Sequence, residues 1–187
     1  MILFVNTCVR PQSRTRRLAM EVLGRISYSE NVTEIKPSNS PLSYETLELR
    51  TKLSEAGDFS NPIFDDAKLF ASASQIVMAA PYWDLSFPAI LKNYVEAVNV
   101  VGLTFAYTED GMPYGLCHAS RLIYVTTAGG PIVSDAYGYG YISELSHSYW
   151  GIRETVCVKA EGLDIIGADV EGILRGTVKG LDHIKCV

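Results

Sequence analysis

The chain has 187 residues, 48% apolar and 20% charged, with a net charge of −5 and a pI near 5.2. That length predicts one domain, residues 1–187, with a substantial core, and the acidic balance argues against nucleic acid as the main partner. No apolar run approaches the length of a membrane span, and the apolar opening, Met1 to Val5, is too short for a signal-peptide core. Cys8, Cys117, Cys157 and Cys186 share no CxxC spacing and read as reduced thiols, so a cytoplasmic protein is expected.

Ile2 to Asn6 is apolar on both faces, as a central parallel strand must be when helices cover both sides of its sheet. A polar turn, Thr7 to Thr15, follows. Ser13 is placed to cap a helix whose buried stripe is Leu18, Val22 and Ile26. Asn31 to Lys36 predicts an edge strand. Pro37 to Ser43 reads as a loop and Tyr44 to Ala56 as a largely solvated helix, so that residues 37–60 resemble a surface arm or lid. Asn61-Pro62 starts another helix, with Phe64, Ala67 and Phe70 on its inner side.

Ile76 to Ala80 is a second buried strand. It leads into Pro81-Tyr82-Trp83-Asp84-Leu85-Ser86-Phe87-Pro88. Ser86 is placed to cap the next helix, which buries Phe87, Leu91, Tyr94, Val95 and Val98. Leu103 to Tyr107 and the turn Glu109-Asp110-Gly111 predict a small projecting hairpin. Leu122 to Thr127 is a third buried strand, ending in Thr126-Thr127-Ala128-Gly129-Gly130. A helix over 135–149, a strand over Thr155 to Ala160 and a closing helix over Gly167 to Ile184 complete the pattern. Strand and helix alternate throughout, which predicts an α/β fold: a flavodoxin-like, doubly wound, five-stranded parallel sheet with helices on both faces and a hairpin insertion.

In such sheets ligands sit outside the carboxyl ends of the strands, and three strand-end loops carry suitable chemistry. The first offers Thr7, Ser13 and Thr15, a helix N-terminus and nearby arginines. Five of the sixteen Lys and Arg residues lie between Arg10 and Arg25. It fits a phosphate site and an ordinary capped helix with solvated arginines equally well. The second, Pro81 to Leu85, has backbone amides for the polar edge of a ring and aromatics that either wall a flat ligand or cover the core. The third, Thr127, Ala128, Gly129 and Gly130, lets backbone approach a ligand closely. No Walker motif, complete GxGxxG, GxSxG elbow or zinc-ligand spacing is present, and no metal site is expected.

Pro81 through Tyr94, then Gly102-Leu103-Thr104-Phe105-Ala106-Tyr107-Thr108, then Thr126 to Gly130, resemble the flavodoxin-like NAD(P)H:quinone reductases, nearest their FMN-dependent NADH-azoreductase branch. The resemblance runs from Met1 to about Ala160. It implies FMN, with FAD as the alternative, and NADH or NADPH as electron donor. Quinones, azo or nitro compounds would be reduced by two electrons in a ping-pong cycle. Thr7, Ser13, Arg14 and Thr15 match the phosphate loop, and Pro81, Tyr82, Trp83, Asp84 and Leu85 the loop along the flavin's pyrimidine edge. Thr127 to Gly130 match the loop at its dimethylbenzene side. The family forms a two-subunit cleft, so a homodimer is implied, with Phe105 and Tyr107 covering the neighbour's flavin as part of the substrate pocket.

The chain departs from the family pattern at Asp84 and Leu85, where Asn or Gln and an aromatic are common. It departs again at Pro131-Ile132, where a ring residue usually follows the Gly-Gly turn. Tyr137 or Tyr139 could replace that ring, and Tyr137 is the candidate acid or base. Backbone donors near Trp83 and Asp84 would stabilise charge on the reduced ring, so the Asp84 carboxylate is expected to point away or bond to backbone. A flavodoxin-type electron carrier, or a non-enzymatic flavin-binding protein, is the alternative.

Overall fold

A computed structural model describes residues 1–27 and 31–180. Five parallel strands form the sheet in the order β2-β1-β3-β6-β7: β1 (Ile2–Asn6), β2 (Val32–Ile35), β3 (Gln75–Ala79), β6 (Arg121–Thr127) and β7 (Glu154–Ala160). The doubly wound expectation holds. Strands β1, β3 and β6 are buried at every position, as their unbroken hydrophobicity requires. The edge strand β2 is exposed at alternate residues.

Successive side chains of these strands feed two separate cores. Leu3, Val5, Ile76, Met78, Leu122 and Tyr124 pack on one face with α3 (Asp65–Ser72), α4 (Ala89–Val98) and Trp150. Ile2, Phe4, Val77, Ile123 and Val125 pack on the other with α1 (Arg14–Ile26) and α6 (Val170–Lys179). Leu18, Val22 and Ile26 are buried in α1. Ser13 caps that helix, accepting from the Arg16 N–H at 3.2 Å.

Several expectations need correction. Ser86 does not cap α4: Pro88 occupies the N-cap, and the Ser86 hydroxyl donates to the Tyr137 carbonyl at 2.5 Å. The helix expected over 135–149 starts late, as α5 (Tyr139–Leu145), and continues as a π turn, Ser146–Trp150. Before it, the Gly138 and Gly140 N–H groups both turn back to the Asp135 carbonyl, while the Asp135 carboxylate pairs with Lys159 at 3.1 Å. The π turn ends at Gly151 in the left-handed region. Helix α6 starts at Val170, capped by Asp169, and the expected stretch beyond Gly180 lies outside the described residues, as does Cys186.

The segment 37–60 is a surface arm tied to the end of α4. Its helix, α2 (Tyr44–Glu55), is pinned by Arg50, whose guanidinium donates to the Glu96 and Asn99 carbonyls at the end of α4, at 3.1 and 3.0 Å. Ser54 donates to the Val101 carbonyl at 2.6 Å, and Asn93 reaches back to the Asn39 carbonyl at 3.0 Å. A cation on orphan carbonyls at a helix C-terminus is favoured by charge and by hydrogen bonding alike. Arg50→Met is expected to destabilise the fold by about 2 kcal/mol and to loosen α2 first. Hydrogen exchange in α2 no faster than in wild type would refute that.

The hairpin, β4 (Phe105–Tyr107) with β5 (Pro113–Gly115), stands where the sequence places it. Burial pushes the Cys117 and Cys157 thiols up to about 12, which keeps them protonated. Among the described residues no helix is long and apolar enough to cross a membrane.

Candidate active site

The carboxyl ends of β1, β3, β6 and β7 open on a cleft of about 680 Å³. Val9 to Thr15 line one wall, Pro81 to Trp83 a second, and Thr127 to Gly129 a third. The three loops therefore meet, in the size range of small-molecule sites. A buried bond of 2.7 Å between the Thr15 and Thr127 hydroxyls ties the first loop to the third. The Tyr82 N–H donates to the Thr127 carbonyl at 3.0 Å and ties in the second. Thr15→Val strands the Thr127 hydroxyl and is expected to cost about 1–2 kcal/mol in urea unfolding. A midpoint equal to wild type would count against that linkage.

Not every residue named from the sequence reaches the cleft. Thr7 is buried, and its hydroxyl and N–H both donate to the Ala79 carbonyl, at 2.8 and 3.0 Å, so it serves the β1–β3 joint instead. Gly130 is not part of the lining; its carbonyl accepts from the Gly162 N–H. Tyr137 is 63% exposed and lies off the cleft lining, held to the second loop through its carbonyl. The Tyr139 hydroxyl bonds to Thr155, away from the cleft. Phe105 is buried against Tyr149, at 4.8 Å between ring centroids, and Tyr107 is exposed on the hairpin; neither lines this cleft.

The second loop holds the least ordinary backbone. The Trp83 N–H donates to the Ser86 carbonyl at 3.0 Å, and the Ser86 N–H returns to Trp83 at 2.8 Å. Between them Asp84 and Leu85 have φ of +50° and +67°. This is a two-residue turn of the kind that prefers Asn-Gly, and for a leucine the left-handed region costs about 1–2 kcal/mol. Trp83 is thus not one of the available donors. The turn leaves the Asp84 and Leu85 N–H groups as those without a backbone acceptor, and Asp84 itself lies outside the lining. Asp84→Asn combined with Leu85→Gly is expected to raise stability by about 1 kcal/mol. An unchanged melting temperature would argue against stored strain.

The arginine concentration is mostly engaged. Arg16 pairs with Glu34 at 3.3 Å, and Arg17 grips Glu171 through both terminal nitrogens at 2.6 and 2.5 Å. Arg14 donates to Asp164 at 2.6 Å and to the Leu163 carbonyl at 3.2 Å. Arg10 lines the cleft and has no ion-pair partner among the described residues. The first turn of α1 carries no acidic residue, so its N-terminus retains its preference for an anion. Burial pushes the Cys8 thiol up, outweighing hydrogen bonds to Ser13 and the Arg16 amide, so Cys8 is not a ready nucleophile. Among the described residues, no group of three or more His, Cys, Asp and Glu side chains could hold a metal.

Leu163 and Asp164 complete the lining and were missed from the sequence. They follow β7, so the strand-end rule that selected the other loops would have selected this one too. Backbone bonds from Gly162, Leu163 and Asp164 to Gly130, Ala128 and Gly129 lay this fourth segment along the third.

The flavodoxin-like fold family matches residues 1–181. An FMN-dependent NADH:quinone oxidoreductase 2 from Clostridium acetobutylicum is 33% identical, over 95% of this chain and 94% of that protein. The chain belongs to the flavodoxin-like FMN-dependent NAD(P)H:quinone oxidoreductase family. An FMN-dependent NADH:quinone oxidoreductase from Clostridium beijerinckii is 28% identical over 95% of the chain and 93% of its own length. Among solved structures, an azoreductase from Bacillus anthracis superposes with a TM-score of 0.80 at 22% identity, covering 98% of this chain and 97% of that one. That likeness concerns the fold. For a member of the quinone oxidoreductase family, the lining suits FMN: an anion-seeking helix start with the Ser13 and Thr15 hydroxyls, and a third loop of small residues, Thr127 to Gly129. A side chain at Gly129 would run into the Asp164 carboxylate.

Proposed function

We propose that the protein is an FMN-dependent NAD(P)H oxidoreductase that reduces quinones, azo or nitro compounds by two electrons. The meeting of three strand-end loops, joined by buried hydrogen bonds, in one cleft of about 680 Å³ carries the reading. The family relatives named FMN-dependent NADH:quinone oxidoreductase support it along nearly the whole chain. FMN bound there would supply hydride transfer between a nicotinamide and the acceptor.

The chain's own residues bind and orient. Ser13, Thr15 and the amides opening α1 would hold the phosphate, with Arg10 and Arg14 supplying charge. The Asp84 and Leu85 amides would face the pyrimidine edge and stabilise negative charge there. Pro81, Tyr82 and Trp83 would wall one side, and Ala128 and Gly129 the other. Phe105 and Tyr107 lie on a hairpin outside their own cleft, which favours a homodimer in which Tyr107 faces the partner's site. The thiols without a described bridge fit the cytoplasm.

An absorbance spectrum of the purified protein, before and after NADH or NADPH without oxygen, tests the reading. Yellow protein that either nucleotide bleaches, and a quinone restores, is expected. Colourless protein that takes up no FMN would sink it. Colour that neither nucleotide bleaches would favour the electron carrier, and a monomer in sedimentation would count against the shared cleft.

A further inference from the structure

We propose that Asp164 is a built-in anion that competes with the FMN phosphate for Arg14, and so sets how tightly the cofactor is held. The proposal rests on the flavin reading. Asp164 is 150 residues from Arg14 in sequence, yet its carboxylate accepts from the Arg14 guanidinium at 2.6 Å inside the cleft lining. It is held there from two sides. Its own N–H donates to the Gly129 carbonyl at 2.9 Å, and its side chain lies against Gly129, where any Cβ would meet it.

The first turn of α1 has no acidic residue of its own. Asp164 thus supplies, from a distant loop, the negative charge that this helix start and Arg14 attract. A phosphate seated at Ser13 and Thr15 needs the same guanidinium. The β7 loop would then hold a carboxylate on the guanidinium that the phosphate needs, and like charges sharing one cation disfavour each other. Arg14 does not depend on Asp164 for its position, because the Leu163 carbonyl accepts from the same nitrogen at 3.2 Å. Removing the charge therefore leaves Arg14 aimed into the cleft with its bonding capacity available to phosphate. Both side chains are partly open to solvent, at 42% and 70% exposure, so the effect is bounded by screening.

The test is fluorescence titration of the whole chain, stripped of flavin, with FMN and with riboflavin, which lacks the phosphate. Asp164→Asn keeps the shape and removes the charge. It is expected to bind FMN about three- to tenfold more tightly than wild type, with the gain shrinking in high salt. Riboflavin affinity should stay within about twofold, since the ring carries no phosphate to repel. Unchanged or weaker FMN binding by Asp164→Asn would overturn the proposal and make Asp164 an orienting partner of Arg14. An equal gain for riboflavin would overturn it by placing the effect at the ring. Wild-type protein that binds neither flavin would instead bring down the flavin reading, and the proposal with it.

Discussion

Trp150→Ala is expected to destabilise the protein by about 3–5 kcal/mol, the range for losing a fully buried large aromatic. Trp150 is the largest side chain with no exposed surface. Its ring meets Phe70 edge-on, with centroids 4.7 Å apart, and its indole N–H donates to the Asn99 side-chain oxygen at 2.7 Å. Truncation removes the packing and strands the acceptor, which sits just beyond the end of α4. Trp150→Phe should keep much of the packing and lose mainly the hydrogen bond, about 1–2 kcal/mol. Urea unfolding of both variants checks this. An alanine variant within about 1 kcal/mol of wild type would show that the helices on this face can close over the gap.

Gly115→Ala is expected to cost about 3 kcal/mol and to move the hairpin. A Cβ at Gly115 would overlap the backbone of Trp150 and Gly151. Backbone cannot swing aside as a flexible side chain can, so the strain must go into separating β5 from the π turn. The readouts are a lower melting temperature and shifted backbone resonances over 103–116. Native resonances in that segment would refute the backbone contact. Because the hairpin bears Tyr107, the same variant should lose dimer affinity if the proposed shared cleft is right.

The sheet was legible because a buried parallel strand has to be apolar on both faces, and Ile2 to Val5, Ile76 to Ala80 and Leu122 to Val125 are. Three of the cleft's loops were legible because they follow such strands; the fourth, with Leu163 and Asp164, follows β7, which is only partly buried. What local patterns could not show was the engagement of single groups. Thr7 and Ser86 have the right chemistry for a phosphate site and a helix cap, but each hydroxyl is taken by a carbonyl more than 50 residues away. The arginines near the first loop looked like one basic patch, yet Glu34, Asp164 and Glu171 divide them. The solvated arm is tied to α4 through Arg50, a charged residue whose burial no hydrophobic period announces.

The turn at Asp84 and Leu85 has a consequence for rates. Its two left-handed residues are locked by reciprocal backbone bonds across Trp83 and Ser86. The amides at its tip are therefore aligned before any ligand arrives, and the ordering penalty falls on folding rather than on association. If the proposed ring edge lies against this turn, capture of the ring should need no reordering of its backbone. Exchange of one flavin for another at such a site would then be governed by escape rather than by entry.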